Sequence, residues 1–362
     1  MNFGLSEEQE LLKSTVKRFL EEQCPPTRVR AIMESDSGHD PALWQGLVDL
    51  GITGLIVPAD HGGSALDLLD LALVAEELGY AATPGPFLGS SMASLALLTA
   101  TDAAQQGTWL PRIAAGEAIA TIAFGEADSE WNPARYAARV VNGRLSGTKP
   151  LVPNARVADA LIVAAVGDAG PDLFLVERDA PGMNITPLKA VDMTRHVEGV
   201  TFTDTPATKL GGGVAAIQRT LDAGCVLLAA DAFGGARRCL EMTVQYALQR
   251  EQFGQVIGAF QAVKHQLANL AAELEPSLSL YWYAAHAFDR IPEQAERHAA
   301  LAKSHLTDVY DRVTRDAIEL HGGIGFTWEF DLHLWFRRAI FDRSFLGDAN
   351  FHRARAADLA GW

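Results

Sequence analysis

The stretch at residues 247–275, "ALQREQFGQVIGAFQAVKHQLANLAAELE", holds the side chains best suited to gripping a ligand. Arg250 can pair with a phosphate in a fork, Gln252 and Gln261 offer amides, and Phe253 can give an aromatic face to a flat ring. A surface turn between two helices would carry the same set. A second group, "ELHGGIG", places Glu319 and His321 beside Gly322 and Gly323, which by themselves read as a helix stop. His265 and His321 each stand alone, as hydrogen-bonded structural histidines commonly do. The three cysteines, Cys24, Cys225 and Cys239, have no CxxC spacing, so neither a zinc site nor a disulfide frame is expected, and no metal is expected at all.

These groups need a scaffold, and the totals describe one. The chain has 362 residues, 48% of them hydrophobic and 21% charged, which places it among folded proteins with more than one core. Its formal charge of -15 argues against nucleic acid or an anionic membrane surface as partner. No basic stretch leads an apolar one at the N-terminus, and no window reads as a membrane span, so a cytoplasmic protein is expected.

The texture changes twice along the chain. Ser6 with Gln9 has capping-box spacing ahead of an apolar helical face, and Gly51 and Gly79 stand where helices would stop. Helices are expected to about Gly116. "AIATIAF", "YAARVVNGRLSGTK", "ADALIVAAV", "DLFLVERD" and an alternating run to Pro206 then read as short strands, with Asn142-Gly143 as a hairpin turn. Gly211 to Gly213 look like a joint, after which helices return. Ile257, Phe260, Val263, Leu267, Leu270 and Leu274 recur at helical spacing there. The order predicts an α+β, mostly α fold with segments 1–116, 117–213 and 214–362, and it disfavours a doubly wound parallel sheet.

Over nearly its whole length the chain resembles the acyl-CoA dehydrogenases. The resemblance is carried by "REQFGQVIGAFQAVKHQLA", "ELHGGIGFTWEFDLHLWFRRA", "LSEEQELLKSTVKRFL" and "GLIVPADHGGSALDLLDLALVAEELG". It implies an N-terminal helical domain, a small β-barrel-like domain, a C-terminal four-helix bundle, bound FAD, and a homo- or heterotetramer. In similar proteins the Arg-x-x-Phe-Gly unit grips a neighbour's FAD at its adenine and pyrophosphate, which assigns Arg250, Gln252, Phe253 and Gln261 that role. Gly322 and Gly323 match glycines that let the backbone approach the pyrophosphate. Glu319 stands where a Gln is usual. The flavin ring is expected against the β-domain at "FGEA", where Phe124 and Glu126 lie, and at "LVP", residues 151–153, where the usual Thr and Trp are replaced.

The family reaction takes a proton from the carbon α to a thioester and a hydride from the β carbon, so a positioned carboxylate is needed. In most members a Glu supplies it, and the matching position here is Leu346. In the isovaleryl type it comes from the first long C-terminal helix, and here Gly224 stands there, with Asp222 kept and Cys225 replacing an Arg. Asp348, two residues past Leu346, is the remaining candidate, displaced by roughly 6–7 Å if the chain is extended. Asp231 is about 10 Å along a helix from Gly224. Arg237, Arg238, Arg337 and Arg338 read as a solvated or inter-subunit face.

The expected activity is that of an FAD-dependent acyl-CoA dehydrogenase subunit acting as the non-base member of a mixed tetramer on bulky or steroid-derived acyl-CoA. Its partners would be the thioester, itself or a related subunit, and an electron acceptor such as electron-transfer flavoprotein. Two alternatives stand beside it: a non-catalytic FAD-binding partner subunit, and a flavin monooxygenase of the same fold.

Overall fold

Local signals start the helices. Ser6 accepts from the Gln9 amide at 3.2 Å while Gln9 Oε1 accepts from the Ser6 amide at 3.1 Å, closing the capping box of α1 (Glu7–Gln23). In this computed structural model, which describes residues 4–362, there follow α2 (Pro26–Met33), α3 (Pro41–Asp49), α4 (Leu68–Tyr80), α5 (Phe87–Thr99) and α6 (Ala103–Ala114). Asp40 and Asp102 cap α3 and α6 through the amides two and three residues on.

The strands are β1 (Ala120–Ala123), β2 (Arg139–Val141), β3 (Arg144–Pro153), β4 (Ala160–Gly167), β5 (Gly170–Glu177), β6 (Met183–Pro187), β7 (Val197–Pro206) and β8 (Thr208–Lys209). They form one sheet ordered β6-β7-β3-β2-β4-β5-β8, with β1 parallel to β4. Asn142 and Gly143, at φ 50° and 72°, make the tight β2–β3 turn that their types demand. Three successive glycines with positive φ, Gly211 to Gly213, turn the chain into α7 (Gly213–Gln249). Then come β9 (Glu251–Gln252), β10 (Gln255–Val256), α8 (Gln261–Arg290), α9 (Pro292–His321), α10 (Leu332–Ser344) and α11 (Ala349–Leu359).

The chain forms two compact units. One contains the residues up to Val29, Ala72–Thr83 and Cys225–Trp362; the other contains Arg30–Leu71 and Pro84–Gly224. In the first unit, α4 ends one residue past Gly79, and Gly79 has a packing role besides. A Cβ on it would stand 2.1 Å from the Asp231 carbonyl oxygen, and one on Gly234 would stand 1.9 Å from that of Glu76, so these glycines let α4 and α7 touch backbone to backbone. The Trp335 indole closes α4 by donating to the Gly79 and Tyr80 carbonyls, each at 3.1 Å. Below that crossing, buried Glu76 and Glu77 are met by Lys13 and Arg237, and the Tyr281 hydroxyl donates to Glu76. In the second unit α5 is buried on nearly every face, and a Cβ on its Gly89 would meet the Thr121 hydroxyl of β1 at 2.4 Å.

Among the described residues α7 alone is long and apolar enough to cross a membrane by length and composition. Contrary to the expectation that no window would qualify, one does, and 72% of it is buried inside the protein, as in a core helix.

Candidate functional site

Helical periodicity does not survive at "REQFGQ". Instead α7 ends at Gln249 and the chain makes a tight hairpin in which Gln252 pairs with Gln255. Phe253 and Gly254 occupy its two turn positions at φ 54° and 78°, and Ile257 donates to the Arg250 carbonyl at 2.7 Å. Ile257 and Phe260 therefore precede α8, because the two-residue turn consumes the register that would have continued the helix. Phenylalanine is rare at positive φ, and here the ring is 94% exposed, meeting Phe260 edge-on at 6.2 Å. Arg250 is exposed and forms no ion pair among the described residues; Gln252 donates to the Glu251 carbonyl, and Gln261 is the exposed first residue of α8.

The glycine pair is brought beside this hairpin. Tyr246, one turn before Arg250, stacks on His321 with ring centroids 4.2 Å apart and donates to its carbonyl at 3.3 Å. His321 is the last residue of α9, so Gly322 and Gly323 begin where that stack ends. Its Nδ1 donates to the Ala317 carbonyl at 2.7 Å, and burial lowers its pKa, as befits a structural imidazole. Gly322 takes φ 62° and ψ −143°, open to glycine alone, and nothing lies within 4 Å of where a Cβ would stand on either glycine. An unpaired guanidinium, an exposed aromatic face and two bare backbone positions fit an anion carrying a flat ring. Glu319 is exposed on the last turn of α9 and adds a negative charge that works against the anion.

In the other unit Phe124 is buried and Glu126 faces inward. The Glu126 carboxylate accepts from Lys149 Nζ at 2.8 Å and from the amides of Ala137 and Ala138 at 2.5 and 3.0 Å. Lys149 Nζ also donates to the Phe124 carbonyl at 3.1 Å and lies 4.3 Å from the Tyr136 ring centroid. Burial pulls the Glu126 carboxyl up, but Lys149 and the amides outweigh it and hold the group below its ordinary range. Burial brings Lys149 down to about 8. Both residues thus tie the loop after β1 to β3, a role that their types alone did not disclose.

Positions 346 and 224, where the resemblance leads one to expect a base, hold a leucine and a glycine. Leu346 is 2% exposed, at φ 64°, and is followed by Gly347 at φ 102°. The main chain is therefore not extended there, and the displacement assumed for Asp348 does not apply. Asp348 caps α11 instead: its side chain accepts from the Phe351 amide at 2.8 Å while the residue stays exposed. Gly224 is buried within α7, and Asp222 accepts from Gln218 at 3.2 Å. Asp231 and Arg338 form a buried two-point pair at 2.6 and 2.9 Å, so the solvated face expected for Arg338 is a core contact. Two groups near position 346 left no signal in the sequence: Lys303, which the fold brings to Gly347 across 44 positions, and His352, whose ring reaches back six residues to the Leu346 carbonyl.

Comparisons with known proteins agree with this architecture. Models of the acyl-CoA dehydrogenase N-terminal and C-terminal domains match residues 6–117 and 211–360. Acyl-CoA dehydrogenase IpdE2 of Mycolicibacterium smegmatis is 35% identical over 344 residues, covering 95% of this chain and 96% of that protein. Among solved structures, a variant of the Tcur3481-Tcur3483 steroid ACAD is similar at 32% identity and TM-score 0.91, with 98% of both chains covered. The ChsE4-ChsE5 complex from Mycobacterium tuberculosis is similar at 25% identity and TM-score 0.90, covering 100% of this chain and 99% of that one. With two domain models on most of its length and a relative matched nearly end to end, the chain belongs to the acyl-CoA dehydrogenase family and is a flavoprotein oxidoreductase with FAD as its cofactor.

Proposed function

We propose that this chain is the non-base subunit of a mixed acyl-CoA dehydrogenase oligomer that desaturates a bulky, steroid-derived acyl-CoA thioester. The observation that carries the reading is buried Leu346 where most of the family places its base, with Gly224 at the alternative position. Asp348 is engaged in capping α11 and Asp231 in pairing with Arg338, so neither offers a free carboxylate for the α-proton. The steroid class is taken from the Tcur3481-Tcur3483 relative, and the mixed assembly from that pair and from ChsE4-ChsE5.

In this reading Arg250 would hold the pyrophosphate of an FAD bound to a neighbouring chain, Phe253 would offer its face to the adenine, and Gly322 and Gly323 would offer bare backbone to the phosphates. FAD, when bound, supplies the acceptor for the hydride. Glu126 and Lys149 hold the main chain of the loop after β1, where amides can meet the flavin. A carboxylate of the partner subunit takes the α-proton, and the electrons pass to an acceptor such as electron-transfer flavoprotein. Residues 1–116, 117–213 and 214–362 act as the helical, β and helical segments of a cytoplasmic enzyme.

The test is to purify the chain alone and together with a related subunit, and to record flavin absorbance, mass and flavin reduction by a steroid-derived acyl-CoA. Reduction that requires the partner supports the reading. A fully active homo-oligomer contradicts it.

A further inference from the structure

Leucine seldom adopts the conformation that Leu346 holds, so something must keep it there. Two side chains from elsewhere in the chain converge on that turn. Lys303, fully buried on α9, donates from Nζ to the carbonyls of Asp342 at 2.6 Å, Arg343 at 3.3 Å and Gly347 at 3.1 Å. The first two are last-turn carbonyls of α10, which have no partner within the helix. The three carbonyls, with the more distant carboxylates of Asp342, Asp348 and Asp308, partly offset the burial of its ammonium.

His352, buried on α11, has its Nε2 3.0 Å from the Leu346 carbonyl oxygen. A carbonyl can only accept, so Nε2 carries the proton. Nδ1 is then the acceptor nitrogen, and it is buried with no partner among the described residues. Cys225 Sγ lies 3.7 Å from the same Nε2. A Cβ on Gly347 would stand 2.5 Å from the Phe351 ring and 3.2 Å from His352 Nε2. The carbonyls of residues 346 and 347 are thus held by two separate helices, and the Asp348 cap fixes the next residue.

We propose that Lys303 and His352 are positioning residues that lock the main chain at position 346 in its left-handed conformation, so that the chain keeps the mount for a base without the carboxylate. The description of position 346 as a base mount rests on the reading given under Proposed function; the locking itself does not. Packing alone would fill the same space with any side chain of similar volume, whereas the lock needs an N–H at Nε2.

Hydrogen–deuterium exchange on the full-length protein as purified separates the two. In His352→Leu, which keeps volume and loses the donor, the segment 345–352 should exchange about 10-fold faster while α8 is unchanged. In His352→Gln, whose terminal amide can donate from nearly the same place, protection should return. If His352→Leu does not fold, His352→Asn replaces it, since its amide is one methylene short of Leu346. Lys303→Met should loosen residues 345–348 in the same way. Wild-type exchange in His352→Leu, or equal exchange in His352→Gln and the donor-poor variant, would overturn the role of His352, and unchanged exchange in Lys303→Met would overturn that of Lys303. Flavin reduction plays no part in this experiment, so an active homo-oligomer would end the non-base reading and leave the lock standing.

Discussion

Changing Glu126 to Gln tests whether this residue is an internal strut or a contact to the flavin. Its carboxylate meets Lys149 at 2.8 Å, and the two side chains are 7% and 0% exposed. The Glu126→Gln amide would turn an N–H toward Lys149 or toward the Ala137 and Ala138 amides, leaving a buried ammonium without its counter-charge. Removing one partner of a buried pair costs about 3–5 kcal/mol. At 2–4 °C per kcal/mol for a unit of this size, the apo-protein should melt roughly 6–20 °C lower by scanning calorimetry. Replacing both partners, Glu126→Leu with Lys149→Leu, should recover only part of the loss, because it strands no charge but leaves the Ala137 and Ala138 amides and the Phe124 carbonyl without these partners. Two outcomes would refute the strut: an apo Glu126→Gln protein that melts with its parent, or a loss confined to flavin occupancy.

Other expectations follow from the same contacts. Gly234→Ala drives a Cβ into the Glu76 carbonyl and should destabilise the fold by roughly 1–3 kcal/mol or more, read as a lower melting temperature, whereas Gly107→Ala, in open space on α6, should raise the melting temperature slightly. Arg250→Ala should release FAD on gel filtration with little change in apo stability, because it removes phosphate pairing and no core packing. Burial brings Lys303 from 10.5 down to about 8, so the folded chain gives up that proton first. The penalty is fully present below about pH 8 and is relieved as pH rises toward 10.5, a gain on the order of 3 kcal/mol. Lys303→Met should lack that rise, and parallel melting profiles for parent and variant would contradict it.

The order of helices, strands and helices was legible because each block has its own hydrophobic period and its own punctuation. Ser6 with Gln9 and Asn142 with Gly143 act within four residues, and both did locally what their types demand. β6 and β8 left no signal, since both lie at the ends of the sheet order and carry mostly exposed side chains. Gly79 stands next to the end of α4 as its type suggested, but its packing role was hidden because the backbone it meets lies in a partner helix about 150 residues away. The Arg250–Phe253 motif was visible as chemistry but not as a hairpin, since the apolar spacing of α8 runs on through Ile257 and Phe260. Lys303, His352 and Lys149 were silent for one reason: a buried cation or imidazole is defined by the carbonyls and carboxylates that the fold brings to it.

The central claim is that this chain has no base of its own, and single-turnover flavin reduction of the isolated homo-oligomer by acyl-CoA tests it most directly. General-base catalysis contributes about 10²–10⁴-fold, so the reduction should be slower by that factor than when the partner subunit is present, and Leu346→Glu should recover part of it. Rapid reduction by the unmodified chain alone, abolished by Asp348→Asn, would show that Asp348 leaves its cap on α11 to act as the base, and would contradict the claim.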